Sequence, residues 1–521
     1  MKKAFTIETF DQATLMAAVV PFYGNQTPLE NILKGLSQPP YLCKTVIKEQ
    51  EYVDKDYQDE FSAYYCKAFK SYSARCVRWH FFACDIPTAT TTEFAQFASQ
   101  YLGYMVIRPT DLQRVGRTLL RPNLTDPNRQ FFHCTAICHT NILGQQFTVT
   151  GMPFIQQDTQ VGACAQASIW MLARYMSRKF GYREYLPSEI NNLAKANMAL
   201  GRPLPAENGL NSYQMLDALK GMGFPALIYT RDNLGTCSPH IEKAFPIDNN
   251  ATREKKAEQR YIQNTIKLAD IAYRYIESGL PVIIGTAGHA LVAIGHTYDP
   301  ALIATVAIQR IPSFYVNNDN TGPYREMPIF TVSTTDYSFN KVNSVIPVLP
   351  YEVTLRGEEA ELMARECVDE LLRSELPGPP PIKFQDAISQ SNVALAGTLN
   401  DLEYRTFLQL SVEFQKALRE DMNSGRLNQQ VGNELLLLDY PKYIWITEVS
   451  SSTLLNHSAS QDRKCVGRII SDSTAPAKTR GVIAFHVADT LSLIGRNPGN
   501  VTIPSFHPDS TPFGHKVLKQ N

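Results

Sequence analysis

Cys164 is the residue from which a chemical reading starts. It stands in residues 156–180, QQDTQVGACAQASIWMLARYMSRKF, where a polar, glycine-bearing loop passes into a helical pattern. Ile169, Leu172, Ala173, Met176 and Phe180 recur at steps of three and four, the spacing of one buried helix face. Gly162 and Ala163 give the preceding backbone room to turn. The cysteine is therefore expected in the opening turn of a helix, where unpaired N–H groups and the positive end of the dipole favour thiolate over thiol. A cysteine by itself is more often a small buried apolar residue, so the reading depends on what accompanies it.

Its companions lie more than a hundred residues downstream. Residues 281–299, PVIIGTAGHALVAIGHTYD, read as two strands, 283–285 and 289–294, pairing as neighbours, with Gly285 and Gly288 allowing close backbone approach. His289 opens the second strand; His296, seven residues on, points to the opposite face by strand parity. Residues 313–324, SFYVNNDNTGPY, read as a strand and a turn carrying Asn317, Asn318 and Asp319. Thiol proteolysis needs a thiolate at a helix start, an imidazole to carry the proton, and a carboxylate or amide to fix the imidazole tautomer. Cys164, His289 and Asp319 supply these in order. The bland alternative makes His289 a structural residue at a strand end.

The succession of a loop, Cys164 and a helix, then GMGF and a strand, then SGLPVIIG and GHALVAIGHTYD, then FYVNNDNTGPY resembles the papain-like cysteine peptidases. Within them it is most similar to the bacteriocin-processing, double-glycine-leader type. The resemblance implies Cys164 as nucleophile, His289 as base and Asp319 as the acid orienting the imidazole. It also implies a glutamine before the cysteine that donates to the oxyanion. Gln157 stands seven residues before Cys164 and Gln160 four before it; the family's spacing is about six, which favours Gln157. The chain departs from the pattern in placing the cysteine in Gly-Ala-Cys-Ala, in following Asp319 with Asn320 where the family carries proline, and in a longer His-to-Asp separation, with 300–312 an extra excursion. The resemblance covers about 170 of the 521 residues.

The elements that must position these residues come from a chain long enough for two or three domains. Fifty basic and fifty acidic residues cancel, so the whole chain has no long-range field to draw in nucleic acid or an anionic membrane. The N-terminus, MKKAFTIETFDQ, is interrupted by acids before any apolar core, and no stretch approaches the roughly twenty apolar residues of a membrane span. Ten scattered cysteines do not form a disulfide framework. A soluble, cytoplasmic, bacterial protein is expected.

We expect an α+β chain with a papain-like cysteine peptidase core at 151–350, an N-terminal mixed α/β recognition or scaffold domain at 1–150, and a C-terminal α+β domain or extension of the core at 351–521. In the first, 75–84 and 101–109 read as strands, and 131–139 with 146–150 as a hairpin. His133, Cys134, Cys138 and His139 invite a zinc reading, but an extended segment points 134 and 138 away from 133 and 139; no metal or cofactor is expected. Arg108, Arg114, Arg117 and Arg121 read as a solvated basic face. In the middle part, helices are expected from 187, over 208–223 and over 263–278, a strand over 226–230, and a polar insertion or lid over 236–260. In the last part, 358–375 and 401–422 read as helices, 376–381 (LPGPPP) as a stiff break, and 443–449, 466–472 and 481–487 as strands.

The expected function is hydrolysis of peptide or isopeptide bonds in a protein or peptide substrate, with a protein partner able to dock on either flanking domain. Two rivals share the residues. An acyltransferase or transglutaminase-like enzyme would pass the same acyl group to an amine, and a catalytically inactive papain-fold module would only bind.

Overall fold

Aromatic and β-branched runs in the first 120 residues build an antiparallel meander. Its strands β1 (Phe5–Thr9), β2 (Thr45–Tyr52), β3 (Cys76–Phe82), β4 (Tyr101–Ile107) and β5 (Val115–Leu120) lie side by side in chain order. The computed structural model describes residues 4–493 and 502–504 except 20–23, 88–93, 113, 159, 161, 196–208, 235–237, 303, 332–336, 374, 377–381, 384–401, 460–461, 477–480 and 488–489. Helices α1 (Gln12–Ala17), α2 (Thr27–Ser37) and α3 (Lys55–Ala63) flank the meander. Leu29, Ile32, Leu33 and Leu36 of α2 are buried at helical spacing. Asp54 caps α3 by accepting from the Asp56 and Tyr57 N–H groups.

Two of the four arginines expected on a solvated face, Arg108 and Arg117, pair inward instead. Arg108 is 1% exposed and pairs with Glu60 at 3.0 Å; Arg117 pairs with the buried Asp54 at 2.8 Å. Partners 48 residues or more away in sequence draw them inward, which a local charge run does not reveal.

The expected hairpin forms as β7 (Ala136–Ile142) and β8 (Gln145–Gly151), starting five residues later than read. Residues 130–131 form instead a separate short strand, β6 (Gln130–Phe131), on the central sheet.

Then come α4 (Cys164–Phe180), α5 (Pro187–Leu193), α6 (Ser212–Gly221), β9 (Tyr229–Thr230), α7 (Pro239–Ala244) and α8 (Arg253–Glu277). α8 begins ten residues earlier than read, because Thr252 caps it by accepting from the Lys255 N–H. Four further strands complete the sheet with β14: β10 (Val282–Thr286), β11 (His289–Thr297), β12 (Ser313–Asn318) and β13 (Gly322–Pro328), with β14 (Val342–Pro347). Their order is β13-β12-β11-β10-β14-β9, with β6 on β11, and all pairings are antiparallel.

α9 (Gly357–Arg373) leads to a small pair, β15 (Glu375–Leu376) and β16 (Ile382–Lys383), while most of LPGPPP lies outside the described residues. The helix expected over 401–422 is half strand. β17 (Leu402–Leu410) pairs residue for residue with β18 (Tyr443–Ser451), and only α10 (Ser411–Asn423) is helical. Glu403, Tyr404, Arg405, Thr406 and Leu408 are all buried, so both faces of the strand are covered, and its cross-strand partners decide the conformation. α11 (Gln429–Leu436), β19 (Gly467–Asp472), β20 (Val482–Val487), β21 (Thr490–Leu493) and β22 (Thr502–Pro504) complete a six-stranded antiparallel sheet.

The chain is thus α+β. One buried cluster runs from Leu15 through α4 and the central sheet to Trp445, so all three parts share apolar contacts. Among the described residues no helix is long and apolar enough to cross a membrane, and the nine described cysteines carry free thiols.

Candidate functional site

Cys164 is the first residue of α4, as its loop-to-helix pattern predicts. The N-cap residue is Ala163, which has no acceptor to satisfy the first-turn N–H groups. Gln166 turns back instead, its Oε1 accepting the Ala163 N–H at 3.0 Å. The open end of α4 therefore presents donors at the cysteine. The helix itself is held from several sides. Ile169, Leu172 and Met176 are fully buried, the Trp170 indole donates to Asp56 at 3.0 Å, and Arg174 pairs with Asp56 at 2.6 Å and Glu184 at 2.8 Å.

The loop before the cysteine is pinned by the same N-terminal residues. Arg108 donates to the Gln156 carbonyl at 3.0 Å, and Tyr65 donates to the buried Asp158 at 2.6 Å. Gln156 turns away, its amide donating to the Asn25 carbonyl at 2.8 Å. Gln157 faces the site, with Nε2 3.5 Å from Asn320 Oδ1.

A two-residue turn links β10 to β11, Thr286 pairing with His289 across it. Gly288 takes φ +75° there, a conformation other residues rarely adopt. That turn sets His289 at the head of β11, and β12 brings Asn318 and Asp319 alongside. His289 Nε2 lies 3.0 Å from Asn318 Oδ1 and 3.4 Å from Asp319 Oδ1. Because Asn318 Oδ1 only accepts, Nε2 carries the proton and Nδ1 keeps its lone pair. Asn320 Nδ2 lies 3.4 Å from Nδ1, and the Tyr337 ring stacks on the imidazole at 4.8 Å and 20°.

Cys164 meets this group through the N–H of Ala290, next to His289, which acts on the thiol together with the N–H groups of Ala165 and Cys164. These donors pull the thiol down, but burial and the charge of Asp319 outweigh them and raise it. Burial lowers His289, against the Asn318 hydrogen bond. Both shifts favour the uncharged forms, thiol and imidazole. Burial raises Asp319 to about 7, only partly offset by its own N–H and that of Gln157.

The structure sets His289 against Asn318, Asp319, Asn320 and Tyr337, brings Gln157 to Asn320 and Asp319, and places Cys164 against the N–H of Ala290. Sequence reasoning passed over the two asparagines for the carboxylate between them. Their position at the end of β12, antiparallel to the strand His289 opens, was the available signal. His133, Cys134, Cys138 and His139 are not brought together: Cys138 packs in the N-terminal core, Cys134 in the main one, and the exposed His139 bonds Thr148. Comparisons with protein-family models, curated proteins and solved structures find no match.

Proposed function

We propose that the chain is a papain-like thiol hydrolase of peptide or isopeptide bonds, with Cys164 as nucleophile and His289 as base. The observation that carries this reading is the imidazole tautomer. Nε2–H is spent on Asn318, so Nδ1 is left to take a proton, and the N–H of Ala290, the residue after His289, reaches the Cys164 thiol.

In this mechanism Sγ attacks the carbonyl carbon as its proton passes to Nδ1. The developing oxyanion accepts from the Cys164 N–H and the Gln157 amide, each donor contributing roughly 3–4 kcal/mol. The imidazolium, with Asn318 and Asp319 at Nε2, returns the proton to the leaving nitrogen as the C–N bond breaks. Water then attacks the thioester and restores the thiol. A neutral resting pair means that the proton moves with the attack rather than before it.

That neutral pair is also what an inactive binding module would carry, and the two readings separate by experiment. A diverse peptide mixture is incubated with the wild-type chain, Cys164→Ala and His289→Ala, and products are weighed by mass spectrometry. Cleavage by the wild type alone supports the enzyme. Cleavage surviving in Cys164→Ala rejects the assignment. Added amines appearing in the products would mark acyl transfer.

A further inference from the structure

His133, Glu277 and His296 converge in the interior, far apart in sequence and on different elements. His133 follows β6, Glu277 ends α8, and His296 sits on β11. All three are buried, and one ligand atom from each lies within 4.8 Å of the others. His133 Nε2 is 3.3 Å from His296 Nε2 and 3.5 Å from Glu277 Oε1; His296 Nε2 is 2.5 Å from Glu277 Oε1.

Outer contacts orient two of the three ligand atoms inward. His296 Nδ1 is 2.9 Å from the Thr297 carbonyl, which fixes the proton on Nδ1 and turns the Nε2 lone pair toward the cluster. Arg405 holds Glu277 Oε2 at 2.7 Å and leaves Oε1 for the centre. The Nε2 atoms of both histidines and Glu277 Oε1 thus converge on one point that a shared proton or a cation can occupy. Gly295 makes the meeting possible, since a Cβ there would stand 2.2 Å from the Phe131 carbonyl and push β6, with His133, away.

We propose that His133, Glu277 and His296 form a binding site for one divalent metal ion of the zinc class. Ligand bonds of about 2.0–2.1 Å give tetrahedral edges of roughly 3.3–3.4 Å. The two contacts made by His133 already match these, and the His296–Glu277 contact opens by about 0.8 Å to do so. Two histidines and one carboxylate leave a fourth position. His133 and Glu277 also line a cavity of about 190 Å³ together with Arg405 and Glu448, and a water from it completes the shell. This site shares no residue with the thiol site, whose histidine is His289 and not His296.

The rival state is a proton on His296 Nε2, making a metal-free imidazolium–carboxylate pair. To separate them, the full chain is stripped with a chelator, reloaded with Zn²⁺ or Co²⁺, and read by elemental analysis, visible absorption and thermal unfolding. The site predicts about one ion per chain, a cobalt spectrum of tetrahedral N/O ligation without thiolate charge transfer, and a rise in Tm on loading. His133→Gln should weaken binding by more than about tenfold, while Cys164→Ala should bind as the wild type does. Failure of the wild type to retain zinc above a buffer blank would overturn the proposal. So would thiolate bands in the cobalt spectrum, which decide the matter even if His133→Gln does not fold, or loss of metal in Cys164→Ala.

Discussion

Asn318, not Asp319, accepts the hydrogen bond from His289: its Oδ1 lies 3.0 Å from Nε2, against 3.4 Å for the carboxylate. The amide sets the tautomer, and the buried carboxyl beside it supplies charge only when ionised. The two neighbours should therefore respond differently to substitution.

Asn318→Ala removes the acceptor that keeps the proton on Nε2. It should lower kcat by roughly a hundredfold, the scale of a lost proton-transfer partner. Asn318→Asp, whose oxygen accepts the same proton, should recover most of the loss. Steady-state kinetics on any peptide cleaved by the wild type checks both.

Asp319 ties stability to pH. Its carboxyl is raised from 3.8 to about 7, so the folded chain holds a proton that the unfolded chain releases. The contribution is full below 3.8 and is lost as pH rises to about 7, with a slope approaching roughly 1.4 kcal/mol per pH unit. Asp319→Asn should remove this slope, gaining on the wild type in urea unfolding at about pH 8 relative to about pH 5. Parallel pH curves for the two proteins would contradict it.

Arg108 joins stability to the site. It pairs with the buried Glu60 and donates to the Gln156 carbonyl. Arg108→Ala leaves buried carboxylates unpaired and should cost about 3–5 kcal/mol. Turnover should also fall at temperatures where the variant stays folded, because the loop carrying Gln157 loses its anchor.

Gln157→Ala should lower kcat by about a hundred- to a thousandfold with little change in KM, as expected for a donor used only in the transition state. A change confined to KM would place Gln157 in substrate binding instead.

What the sequence showed of this molecule was local. The step from loop to helix at Cys164, the glycine turn before His289 and the strand ending in Asn318 are each written in adjacent residues. What escaped depended on distant partners. Arg108 looks solvated until Glu60 is beside it, and residues 402–410 look helical until β18 pairs with them. His133 invites a zinc reading with its neighbours in sequence, yet it meets His296, 163 residues away. Strand parity set His296 aside as the weaker candidate base but could not show what it meets.

The central claim is that Cys164 attacks and His289 takes its proton. Its most direct measurement is trapping: a peptide ester is mixed with the full chain, quenched in acid, and the protein digested and weighed. An acyl group should build up on Cys164 in the wild type and be absent from His289→Ala, with both proteins unfolding at similar temperatures. An unmodified Cys164 in a wild-type chain that turns the ester over, or equal acylation without His289, would contradict it.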